Sequence, residues 1–278
     1  MKKWIYNTLI VIFALVFLGS AGYLAYYFIN SRIQEQSYNE LSQIMESNTV
    51  APRPTINEES TGPNDSVTEP TLPPLVDAID PETGKTVQLL PQFKELYERN
   101  NDMVGWMTIP GTEINYPVMQ TPDQVDYYLK HNFEKESSAH GALYAREVCD
   151  INKPSDNITI YGHRMRDGSM FARLDLFMEK SFWESNPYIY FDTLTEQHTY
   201  KIMAVFLTTA TLGEGFSYHK FVDAQNEAEF DQFVNTCKNL ALYDTGVDAQ
   251  YGDKFITLST CEYSQANGRL VVVAKRIG

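Results

Sequence analysis

Three residues at the ends of strand-like runs carry side chains from which covalent chemistry could be built. Cys261 closes the apolar alternating run "KFITLST", Arg269 opens "RLVVVAKRI" eight positions later, and His163 directly follows "NITIYG". A thiol is nucleophilic as thiolate and needs a nearby base or cation to reach that form. A histidine supplies the base. The fixed charge and forked donors of an arginine suit an oxyanion or a peptide carbonyl. Taken singly, each has a plain structural reading: a buried thiol capping a strand, a histidine after a glycine that lets the chain turn, a charge on a strand surface. Three such types at three strand ends fit one site better, provided the strands are neighbours.

The remaining thiols and imidazoles are less suggestive. Cys237 falls at helical spacing with Phe230, Phe233, Val234, Leu240 and Ala241, which reads as the core face of a helix. Cys149 lies in the loop "REVCDINKP". Sequence does not place the two Cα atoms, so a Cys149–Cys237 disulfide stays open. His131, His140, His198 and His219 sit in polar loop or strand-end settings, where surface or structural roles suffice. There is no CxxC or HxxxH, so neither a metal site nor a cofactor is expected.

Positioning such a trio requires strands. Eight short runs rich in β-branched and aromatic residues follow one another: "GWMTIP", "EINYPVM", "GALYAR", "NITIYG", "PYIYFDT", "HTYKIMAVFLTT", "KFITLST" and "RLVVVAKRI". Polar turns such as "IPGTE" and "RDGS" separate them. Eight strands with polar turns predict a closed barrel, which leaves no exposed sheet edge. Helices are expected at "PQFKELYERNND", with Phe93, Leu96 and Tyr97 on one face, and at "GSMFARLDLFM". A third, "NEAEFDQFVNTCKNLALYDTG", falls between strands 6 and 7 of the barrel. The fold class expected is therefore mainly β with added helices: an eight-stranded β-barrel, an N-terminal helix, and a helix between strands 6 and 7.

Two appendages precede that domain. From Trp4 to Ser31 there is no charged residue. The stretch is long enough to span about 30 Å of hydrocarbon. Its apolar core is longer than a cleaved signal needs, and "GSAGYLA" is a weak cleavage site, so residues 1–33 read as a cytoplasmic tip and transmembrane signal-anchor. Lys2 and Lys3 predict a cytoplasmic N-terminus, with the rest of the chain outside the cell. Residues 34–85 hold ten acids and two bases among many Pro, Ser and Thr, which predicts a flexible acidic stalk. Its "PETG" reads as a turn. Residues 86–278 are then the catalytic domain. The chain carries a net charge of −14 with no basic stripe, which argues against nucleic acid as a partner.

"TLSTC" with a following arginine, and "YGHRMRDGSMF" upstream, resemble a sortase, a cysteine transpeptidase of Gram-positive cell surfaces. The opening "NNDMVGWMTIPGTEINYPVMQ", the short N-terminal helix and the helix before "TLSTC" are similar to the class B branch. The resemblance runs from about Phe93 to the end. It implies a sortase-type β-barrel, Cys261 as nucleophile, His163 as acid and then base, and Arg269 as holder of substrate and oxyanion. It also implies that Ser259, with its neighbours Thr260, Glu262 and Tyr263, lines the substrate cleft. The implied reaction cleaves a C-terminal sorting signal of secreted proteins after Thr and passes the acyl group from a Cys thioester to a peptidoglycan or pilin amine. Partners would be those proteins, that amine and the membrane. Arg164, where a smaller polar residue is expected, and "REVCD" depart from the pattern. Glu262 would by its charge disfavour a thiolate beside it.

Two other readings compete. An exported thiol peptidase would only hydrolyse. Papain-like families place cysteine before histidine, whereas His163 precedes Cys261 by 98 positions, and chymotrypsin-like thiol proteases surround the nucleophile with glycines that "STCEY" lacks. A membrane-tethered binding module would not need Cys261, His163 and Arg269 together.

Overall fold

The computed structural model describes residues 3–49, 73–211, 213–264 and 267–278. The middle of the segment expected as stalk, residues 50–72, lies outside them. The chain divides into two compact units, Met1–Glu40 and Leu41–Gly278.

Helix α1 (Lys3–Ser47) carries the apolar segment. It is long and apolar enough to cross a membrane, the one such helix among the described residues. It runs on through the first part of the expected stalk, where "SRIQEQSYNELSQIMES" has no helix breaker.

The expected boundary at 85/86 falls inside a hairpin of β1 (Val76–Ile79) and β2 (Thr86–Leu89). "PETG" is its turn. The Asp80 carboxylate accepts from the amides of Glu82 (3.0 Å) and Thr83 (2.8 Å), and Gly84 adopts φ 68°. The hairpin is fastened to α2 (Lys94–Arg99): the Tyr97 hydroxyl donates to Asp80, and Lys94 Nζ donates to the Asp77 carbonyl. The ordered unit thus begins before residue 86, because these contacts hold a strand whose own composition is poor in apolar mass.

All eight expected barrel strands form: β3 (Met103–Thr108), β4 (Asn115–Met119), β5 (Leu143–Ala145), β6 (Asn157–Tyr161), β7 (Tyr188–Thr193), β8 (Thr199–Thr209), β9 (Phe255–Cys261) and β10 (Gly268–Arg276). They close in the order β10-β8-β7-β3-β4-β5-β6-β9. The pairs β4–β5 and β6–β9 are parallel, and the others are antiparallel.

Helix α3 (Lys180–Ser185) was not expected. The helix expected over "GSMFARLDLFM" is instead a 3-10 stretch from Ala172 to Met178. Its first residues cannot join a helix, because Met170 sits at φ 56° and bridges back to Arg164.

Helix α4 (Glu227–Leu240) connects β8 to β9 and is capped by Asn226, whose side chain accepts from the Glu229 amide. It buries Phe230, Phe233, Val234 and Cys237, while Leu240 stays exposed. These pack on Phe255 of β9 and on Val271 and Val273 of β10, with Tyr218 and Phe221 from the connecting segment. Side chains alternate along a strand, so this covered face is the one that also carries Ser259, Cys261 and Arg269 farther along the two strands. Cys261 emerges where the cover ends, and is partly exposed.

Candidate active site

Strand pairing brings the three predicted residues together. In the antiparallel pair β9–β10, Arg269 lies directly opposite Cys261. Such partners project from the same face with Cβ atoms about 5 Å apart. On the other side of β9, β6 runs parallel with Tyr161 opposite Ser259, and the ladder continues through Gly162, whose amide donates to the Ser259 carbonyl (3.2 Å). His163 therefore leaves its strand at the edge where β9 ends. Gly162 is required for space rather than for a turn. A Cβ there would stand 2.5 Å from Leu143 and 2.7 Å from Phe171.

His163, Cys261 and Arg269 line one cavity of about 370 Å³, with Ser259, Thr260, Asp126, Leu129, Tyr144, Arg146 and Tyr161 among the other lining residues. His163 Nε2 donates to the Leu129 carbonyl (2.7 Å). A carbonyl can only accept, so this bond fixes the ring and leaves Nδ1 as the nitrogen for proton exchange. Leu129 ends a 3-10 turn, Tyr127–Leu129, entered through Asp126 at φ 55°. The Tyr144 hydroxyl holds that aspartate at 2.8 Å. Arg269 Nη1 donates to the carbonyls of Gly268 (3.0 Å) and Asn267 (3.3 Å), which orients the guanidinium by its own turn.

The four residues expected to line the cleft separate. Ser259 and Thr260 line the cavity. Ser259 is also buried and shares a 2.5 Å hydrogen bond with the Tyr218 hydroxyl. Glu262 is not among the lining residues. Its carboxylate is buried and accepts from the Ser264 amide (2.9 Å) and hydroxyl. Burial opposes ionisation there, but these hydrogen bonds outweigh it and hold the group below the usual range. Tyr263 is exposed and lines a neighbouring pocket. Arg164, the departure from the family pattern, lies 5.4 Å over its ring and pairs with Asp175 at 3.0 Å.

The other thiols and histidines stand apart. Cys149, Cys237 and Cys261 are all free, so Cys149 and Cys237 are unpaired. Burial pushes the thiols of Cys149 and Cys237 up. His140 is buried against Asp167 (2.8 Å), and His131 stacks on Tyr127. Sequence reasoning missed Asp126, Tyr144 and Arg146. Tyr144 lies within β5 and Arg146 directly follows it, and the antiparallel pairing of β5 with β6, which sets Tyr144 opposite Tyr161, brings them to the cavity wall. Arg146 donates to the His219 carbonyl, which ties the cavity wall to the segment before α4.

A sortase-domain family profile matches residues 107–277. Curated relatives include sortase B of Listeria monocytogenes, 34% identical over 189 residues that cover 67% of this chain and 74% of the relative. Sortase B of Staphylococcus aureus is 32% identical over 67% of this chain and 75% of the relative. Among solved structures, a Staphylococcus aureus sortase B–substrate complex superposes with TM-score 0.69 at 25% identity, covering 90% of this chain and 98% of that one. Sortase B of Bacillus anthracis gives TM-score 0.66 at 29% identity over 90% and 99%. Barrel, cavity and sequence agree, and the chain belongs to the sortase family of cysteine transpeptidases, in its class B branch.

Proposed function

We propose that this transpeptidase cleaves a C-terminal sorting signal of secreted proteins after a Thr and joins the new carboxyl end to an amine of peptidoglycan or of a pilin. Cys261 attacks the Thr carbonyl carbon, and its proton passes through His163 to the leaving amine as the peptide bond breaks. The acyl group then rests on sulfur as a thioester. An incoming amine attacks that carbonyl, gives its proton to His163, and the proton returns to the departing Cys261 sulfur. Arg269 donates to the carbonyl oxygen as charge develops on it in both steps. The observation that carries this reading is the register of Arg269 opposite Cys261, with His163 leaving the parallel neighbour strand into the same cavity.

Sortases are cell-surface enzymes, and α1 is compatible with a membrane anchor. We read residues 1–33 as that anchor with a cytoplasmic N-terminus, and the barrel as extracellular, where emerging substrates pass.

The test is a panel of sorting-signal peptides with a chain beginning at Pro73, in the presence of increasing amine, resolved by mass spectrometry. A joined peptide–amine product that grows at the expense of free acid is expected. Free acid alone at every amine concentration would favour the hydrolytic reading, and no cleavage would favour a binding module.

A further inference from the structure

A second pocket, of about 630 Å³, shares no lining residue with the catalytic cavity but is lined by its chain neighbours. It begins at Arg164, the residue after His163, and at Tyr263, two after Cys261. Its walls carry three guanidinium groups, Arg164, Arg166 and Arg173, against one carboxylate, Asp175. In a chain of net charge −14 that concentration of arginine is unusual. Arg164 uses one edge on Asp175 (3.0 Å), and Arg173 uses Nε on Glu113 (3.1 Å), so each keeps further donors. Among the described residues no ion pair holds Arg166. The neighbouring Asp167 is turned to other partners, His140 (2.8 Å) and the Ser169 hydroxyl (2.6 Å). Gly168, at φ 90°, makes room for Arg173: a Cβ there would stand 3.1 Å from its Nη2.

Resting on the transpeptidase reading above, we propose that this pocket binds a carboxylate carried by the amine acceptor. Planar guanidinium groups recognise carboxylates through paired N–H donors. His163 is the residue that exchanges protons with the amine, and Arg164 of the pocket wall directly follows it in the chain. The acceptor favoured is thus an amino-acid or peptide amine with an acid group a few bonds from the nitrogen, rather than an uncharged amine.

The experiment compares matched acceptors, triglycine with triglycine amide and Nα-acetyl-lysine with its amide, using one sorting peptide. Wild type is expected to use the acids with kcat/KM about fivefold or more above the amides. That preference should shrink with added salt, and should fall below about twofold in an Arg166→Gln/Arg173→Gln variant. Among the described residues Arg166 has no ion pair to lose, so Arg166→Gln alone, checked by thermal unfolding, separates the pocket from the fold. Equal use of acid and amide by wild type, or an unchanged preference in the variants, would overturn the proposal. A third arm varies the peptide instead, with Glu or Gln after the cleaved bond. If the arginines act on that acid during acyl-enzyme formation, the pocket serves the leaving segment and the acceptor assignment falls. Absence of joined product with every amine would overturn the transfer reading itself.

Discussion

Removing the hydroxyl from Tyr218 tests how the floor of the site is held. Tyr218 and Ser259 are both buried, at 5% and 2% exposure, and they share a 2.5 Å hydrogen bond between the segment before α4 and β9. Tyr218→Phe keeps the ring among Phe206, Phe221 and Phe230 but strands the Ser259 hydroxyl, and Ser259→Ala strands the Tyr218 hydroxyl. An unsatisfied buried hydroxyl costs about 1–3 kcal/mol. For a domain of this size that is about 2–12 °C in Tm. Removing both partners leaves no stranded group, so the double variant should lose well under the sum of the singles, with a coupling of about 1–2 kcal/mol. Urea unfolding of the four proteins from Pro73 onward measures this directly. Additivity within about 0.5 kcal/mol would show that the bond contributes nothing, and would free Ser259 to act on substrate alone.

Three further expectations follow from the same geometry. Arg269→Lys should lose about a hundredfold to a thousandfold in turnover, because lysine keeps the charge and loses the fork; turnover within about threefold of wild type would sink the oxyanion role. Limiting iodoacetamide at about pH 8 should label Cys261 well before Cys149 or Cys237, whose thiols burial pushes up and so keeps protonated. Equal labelling of Cys237 on peptide mapping would undo the assignment. A chain beginning at residue 86 should unfold at lower temperature than one beginning at Pro73, since it loses β1, the buried Ala78 and the Asp80 partner of Tyr97. Identical melting curves would show that the hairpin is dispensable.

Much of this was legible in the chain because the information is local. Each barrel strand is written as a short β-branched and aromatic run, and the face of α4 as apolar residues at helical spacing. That Cys261 and Arg269 face one another follows from a single short connection between adjacent strands. What the chain does not display is pairing between distant segments. The parallel contact of β6 with β9, which delivers His163, joins residues about a hundred positions apart. The Tyr218–Ser259 bond, the Arg146 tie to His219 and the Arg164 clamp on Tyr263 are likewise long-range, and no periodicity marks them. The β1–β2 hairpin was hidden for another reason. Its strands are four residues each with one buried side chain apiece, and they are fixed by docking on α2 rather than by their own pattern.

The central claim is that acyl transfer passes through the Cys261 sulfur. Mixing enzyme with a cleavable sorting peptide, quenching in acid within the first turnover and mapping by mass spectrometry tests it. The account predicts a hydroxylamine-labile adduct on the peptide containing Cys261, whose added mass is the substrate fragment ending in Thr, and no adduct or cleavage with Cys261→Ala. Cleavage retained in Cys261→Ala, or an adduct at another residue, would contradict it.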